Sequence, residues 1–331
     1  MRHQKKRWFA ALLSLCMLLS ILPSTSIAFS ESEETWSGNR RKQTIDGGTH
    51  TITLSNLTID SPGVEKSAID ITGNADVTFI LEGNNTLRGY RNHPAIWVES
   101  GSSVTFEGNG LLEASAGGAS IGLGAAGIGG GYGASSNFGN ITINGGTIIA
   151  RGSGGGAGIG GGYEVGSGTV TGNVTINGGY VTAIGGSSGS TGGAGIGSGE
   201  NANYSGTVTI NGGVVYAEGG ADSTSIGRGN RAIGTSDNGA FTTGTGGNAV
   251  IVAPDGIGDP SGFADWDGIF ISYEGNNTSA TVGEDGTVHL NDTEANIQVW
   301  GEPVIDYPLV VESGTELRVV QNDRNYAYAT L

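Results

Sequence analysis

Three near-copies of one phrase, spaced almost evenly, constrain this chain more than any other feature. They read Ile141-Thr-Ile-Asn-Gly-Gly146, Val174-Thr-Ile-Asn-Gly-Gly179 and Val208-Thr-Ile-Asn-Gly-Gly213, with starts 33 and 34 residues apart. A fixed period in this range marks a repeat architecture, in which each unit buries its apolar face only against its neighbours. A second phrase alternates with the first: Ala126-Gly-Ile-Gly-Gly-Gly131, Ala157-Gly-Ile-Gly-Gly-Gly162 and Ala194-Gly-Ile-Gly197. Weaker copies surround Ile69, Ile96 and Ile226.

A third short run comes after each double glycine: Thr147-Ile-Ile-Ala150, Tyr180-Val-Thr-Ala183 and Val214-Val-Tyr-Ala217. Asn85-Thr-Leu-Arg88 and Leu111-Leu-Glu-Ala114 occupy the same place earlier in the chain. Each period thus holds three runs, all too short for a helix and rich in β-branched residues. Three strands per coil of about 30 residues describe a parallel β-helix, an all-β solenoid. Six coils are expected between residues 46 and 240. Residues 29–45 form an N-terminal cap, and residues 241–331 a β-rich extension or cap that has lost the period.

Alternation assigns the faces. In Val174-Thr-Ile-Asn177, Val and Ile point inward and Thr points outward. Asn144, Asn177 and Asn211 fall at one corner and are expected to stack as a ladder of side-chain amides. Thr78, Thr105, Thr142, Thr175 and Thr209 form one outward column. Such a column is ordinary strand chemistry, and it is also how some ice-binding faces look.

Composition limits the partners. Residues 1–28 form a secretory signal: Arg2, Lys5, Lys6 and Arg7 precede an apolar run, and Ser26-Ile27-Ala28 supplies small residues for cleavage. The sole cysteine, Cys16, lies within it, so the secreted chain has no disulfide. Eleven basic and 31 acidic residues remain after the signal, a formal charge of −20. Nucleic acid and anionic membranes are poor partners for such a surface. No later segment is apolar enough to insert in a membrane. Sixty-four glycines occur without the Gly-X-Y period of collagen, and with Val and Ile in register among them.

Gly-rich periods of "AGIGGG" and "VTINGG" behind a signal peptide resemble those of bacterial secreted carbohydrate-binding proteins with a right-handed, pectate-lyase-like β-helix. The resemblance covers residues 46–240, and Trp266-Asp-Gly-Ile-Phe270 through Leu290 also resembles the segment after the repeats in such proteins. It implies binding of plant-type or bacterial cell-wall polysaccharide, sometimes with calcium, without catalysis, by a secreted or cell-surface protein. It assigns no calcium ligand to a numbered position here.

The candidate site residues come from the faces. The residues flanking each central isoleucine are expected to point outward, and in the later coils these are glycines: Gly127/Gly129, Gly158/Gly160 and Gly195/Gly197. They suggest a bare groove floor with Trp97 at one end and Tyr132 and Tyr163 as walls. The same glycines would equally relieve crowding beneath loops that the tyrosines pin. Asp70 is the expected neighbour of Trp97 on the adjacent coil, with Glu99 nearby, a candidate sugar-hydroxyl or calcium site. From Ser115 to Ala217 the only charged residues are Arg151, Glu164 and Glu200, which leaves no pair of carboxylates for glycoside hydrolysis there. The N-terminal coils hold Asp60, Glu65, Lys66, Asp70, Arg88, Arg91, His93 and Glu99. An enzyme of the pectate-lyase-like kind would use that cluster, and a structural adhesin stalk would need no ligand at all.

Overall fold

The computed structural model describes residues 34–60, 66–118, 123–133, 136–164, 168–230, 238–242, 248–258, 266–272, 280–283, 285–290, 294–300, 307–312, 316–322 and 328–330. Among these the protein is all-β, without an α-helix, and most strands pair in parallel. No described helix is long and apolar enough to cross a membrane.

Each repeat contributes to three parallel runs of strands. The first is a seven-stranded sheet built around the central isoleucines. It runs through Gln43–Asp46, Ile69–Thr72, Ile96–Val98, Ile128–Gly129, Ile159–Gly160, Ile196–Gly197 and Ile226–Gly227. The second contains the Thr-Ile phrase and includes Asp76–Glu82, Ser103–Gly108, Asn140–Ile143, Val174–Ile176 and Asn203–Ile210. The third includes Asn84–Arg88, Leu111–Ser115, Thr147–Arg151, Tyr180–Ile184 and Gly212–Glu218. Equivalent residues pair without a slip at the repeated phrases: Ile143 with Ile176, Ile176 with Ile210, and Ile128 with Ile159. The buried side chains therefore form continuous columns. Isoleucine, valine and alanine from all three runs belong to one core cluster. Each fully buried Ile or Val stabilises by about 1.5–3 kcal/mol relative to exposure.

Aromatic residues close the ends of this core. Trp36 (4% exposed) lies on Glu34–Asn39, which pairs with Thr49–Ile59, and its ring meets Phe79 at 6.2 Å. At the far end Trp266 (1%) and Phe270 (6%) are buried. Parallel pairing extends past residue 240, through Asn248–Val252 to Asp267–Ser272. It is interrupted where Asp267–Ser272 meets Glu294–Trp300 in antiparallel register, and Glu294–Trp300 pairs in parallel with Glu316–Asn322. A small sheet of Ala280–Val282, Val288–Leu290 and Leu309–Val311 lies beyond. Val288 and Leu290 join a second cluster with Val214, Tyr216, Val250 and Val252. These last four share register columns with outward residues such as Thr147 and Ile149 of earlier repeats. The outer face of the third run thus turns apolar towards the C-terminus, and the C-terminal strands cover it.

The Asn ladder forms, and it has a direction. Asn211 Nδ2 donates to Asn177 Oδ1 (2.7 Å), Asn177 Nδ2 to Asn144 Oδ1 (2.8 Å), and Asn144 Nδ2 to Glu107 Oε1 (3.1 Å). A carboxylate accepts only, so Glu107 orients the three amides with their donors towards it. The asparagines do not take left-handed φ. The second glycine of each phrase does, with φ of 80°, 83° and 86° at Gly146, Gly179 and Gly213. The threonine column is also present, and register extends it to Thr51.

Candidate functional site

The expected glycine floor is not an open surface. Gly127, Gly129, Gly158, Gly160, Gly195 and Gly197 are all buried. In each repeat the chain makes a narrow pinch, closed by Ala126 N to Gly130 O (3.0 Å), Ala157 N to Gly161 O (2.9 Å) and Ala194 N to Ser198 O (3.0 Å). The pinch thrusts its isoleucine into the core and requires φ of 128°, 134° and 137° at Gly129, Gly160 and Gly197. A side chain there would point along the stack, not outward. A Cβ on Gly160 would stand 1.9 Å from the carbonyl oxygen of Gly197. On the other side of the isoleucine, a Cβ on Gly127 or Gly158 would meet the backbone N of Arg151 (2.7 Å) or Ile184 (2.5 Å). These glycines are therefore explained by close backbone approach. The outward alternation expected from a regular strand fails because two-residue strands interrupted by positive φ do not alternate.

Asp70 and Trp97 are direct register partners on adjacent strands, and Gly129 is the next residue in their column. Asp70 is 7% exposed. Its Oδ2 pairs with the ammonium of Lys42, a residue that sequence reasoning did not single out. Lys42 lies outside the repeated phrases, just before the first strand of the column, so periodicity carried no sign of it. Asp70 Oδ1 is buried without a hydrogen-bond partner, and so is Trp97 Nε1. Trp97 itself is half-buried. Glu99 sits two residues further along, where its Oε2 accepts from the backbone N of Gly73 (2.8 Å). Its carboxylate is committed to the turn of the preceding repeat.

Tyr132 and Tyr163 form a separate group. Their rings stack at 5.7 Å with an interplanar angle of 20°. Asn201 Nδ2 donates to the Tyr163 hydroxyl (2.9 Å), and Ser136 Oγ donates to Glu164 in the neighbouring loop. Each tyrosine thus spends one ring face on the other, which is how loop-pinning residues behave. No hydrogen bond or ring contact among the described residues joins this pair to Trp97. Nor do three or more His, Cys, Asp or Glu converge as a metal-binding group among them. Of the N-terminal charged residues, Asp60 pairs with Arg88 (3.4 Å), and Glu65 lies outside the described residues.

What remains is a small site with mixed chemistry: one aromatic ring, one buried acceptor and one buried donor on neighbouring strands. Asp70 Oδ1 can only accept and Trp97 Nε1 can only donate, and a hydroxyl, which does both, is chemically suited to either. The chain matches no protein-family model, no curated protein and no solved structure.

Proposed function

We propose that this protein is a secreted, non-enzymatic right-handed parallel β-helix that binds an extracellular polysaccharide of plant or bacterial cell-wall type. Support for the solenoid comes from the large core cluster fed by all three parallel runs. The observation that carries the ligand is the Asp70–Trp97 pair. A carboxylate oxygen and an indole N–H without partners, beside a half-buried indole ring, suit a sugar, which offers hydroxyls at its edge and C–H groups on its face. The signal segment supports secretion.

Pull-down on a panel of insoluble polysaccharides tests the reading, with wild type set against Trp97→Ala and Asp70→Asn. Loss of retention in Trp97→Ala, with an unchanged circular dichroism spectrum, is the expected result. Retention equal to wild type in both variants would remove the site. Release of unsaturated uronates or reducing ends would overturn the non-enzymatic reading. An intact fold that binds no glycan would make the protein a stalk.

A further inference from the structure

The net charge of the chain is strongly negative, yet the topology gathers cations at one corner. Six of the eleven basic residues beyond the signal segment lie between residues 40 and 91: Arg40, Arg41, Lys42, Lys66, Arg88 and Arg91. The corner they occupy leads into the strand column of Asp70 and Trp97. Its successive levels are held over one another by Gln43 N to Ala68 O (2.9 Å) and Tyr90 N to Lys66 O (2.9 Å). Stacked levels of this kind rise by about 4.8 Å each.

Three of the six cations are accounted for within the protein. Lys42 pairs with Asp70, Arg88 with Asp60, and Arg40 lies over the Trp36 ring (5.8 Å) and donates to Thr35 O (3.3 Å). Arg41, Lys66 and Arg91 are exposed, one on each of three successive levels. No described carboxylate pairs with any of them. Arg91 keeps only a ring contact, 5.6 Å from the centre of Tyr90. An otherwise acidic protein that places three exposed cations without a described carboxylate partner on successive levels, in the turns that lead into the Asp70–Trp97 column, presents a local potential opposite to its mean.

We infer that this corner binds an anionic glycan, one that presents a carboxylate or phosphate on successive residues, with Arg41, Lys66 and Arg91 each facing one anion and Trp97 beside the sugar chain. The inference rests on the polysaccharide reading and narrows it, against the sign of the net charge. Arginine forks suit either oxyanion, and lysine adds a point charge.

The full-length secreted protein is titrated with three soluble polymers: polygalacturonate, a glycerol-phosphate polymer and a neutral β-glucan. The variants are R41Q, K66Q, R91Q, their triple combination, and R151Q as an exposed cation outside the corner. The triple variant is expected to lose roughly tenfold or more of its affinity for at least one anionic polymer, with R151Q unchanged. Affinity is also expected to collapse between about 0.1 M and about 1 M salt, where screening shortens from about 10 Å to about 3 Å. The anionic polymer that is bound identifies carboxylate or phosphate as the recognised group. Wild type that binds the neutral glucan and neither anionic polymer overturns the inference and leaves the polysaccharide reading standing. Anionic binding equal in wild type and triple variant overturns it as well. Binding of none of the three polymers overturns the inference, and the insoluble-polysaccharide pull-down then decides the polysaccharide reading separately.

Discussion

Gly160→Ala separates a ligand floor from a structural pinch. If the glycine column were an open groove, adding one methyl there would leave stability unchanged and alter only binding. The structure says otherwise. Gly160 has φ of 134°, a region that L-residues rarely adopt, and holding a non-glycine residue in such a conformation costs of order 1–3 kcal/mol. The new Cβ would also stand 1.9 Å from Gly197 O, a backbone atom that cannot rotate away. Relief requires the two stacked pinches to separate. That weakens Ile159 N to Gly195 O (3.0 Å) and Gly161 N to Gly197 O (2.8 Å), each worth about 1 kcal/mol. The expected loss is roughly 3–4 kcal/mol, read as a lowered urea midpoint by circular dichroism. Gly118→Ala is the control: nothing lies within 4 Å of its Cβ and its φ is not positive, so its effect stays within about 0.5 kcal/mol. A Gly160→Ala protein as stable as wild type would refute the pinch argument and restore the groove floor.

Three further perturbations test the scaffold. Asn177→Ala removes both an acceptor for Asn211 and a donor to Asn144 on an exposed corner, and should cost about 1–2 kcal/mol in denaturant unfolding. A double-mutant cycle of Asn144→Ala with Asn211→Ala, which touch only through Asn177, should show coupling above about 0.5 kcal/mol if the ladder acts as a unit. Tyr204 is buried against Phe138 and donates its hydroxyl to Gly172 O (2.9 Å), and burial pushes its pKa far above the ordinary value of 10.0. The folded state holds this proton while the unfolded chain releases it. The contribution is therefore complete below pH 10 and lost as pH rises above it. Tyr204→Phe should flatten the alkaline decline of stability seen in the wild type by thermal unfolding, and an equally steep decline in the variant would assign it to another group.

The repeated phrases made much of the scaffold legible. Period and alternation place Ile143, Ile176 and Ile210 in one inward column, stack Asn144, Asn177 and Asn211, and align the threonines. All of these depend on each residue's own repeat and on the copy next to it, so a strict period determines them. The candidate site was legible in part. Asp70 and Trp97 share a column whose offset the central isoleucines reveal. Lys42 and Glu107 escaped notice because each meets a repeated position from outside the phrases.

Tertiary structure alone decided the rest. Composition presents the glycine column as bare, but the pinches bring backbones within contact, and only their positive φ shows why no side chain fits. Tyr132 and Tyr163 look like exposed walls in sequence, yet stacking turns each ring face towards the other. Net charge argues against an anionic partner, whereas the turns before Gln43, Ile69 and Ile96 bring Arg41, Lys66 and Arg91 to one edge. A sequence sums charges along the chain. A ligand meets only those that the stacking of distant turns places side by side.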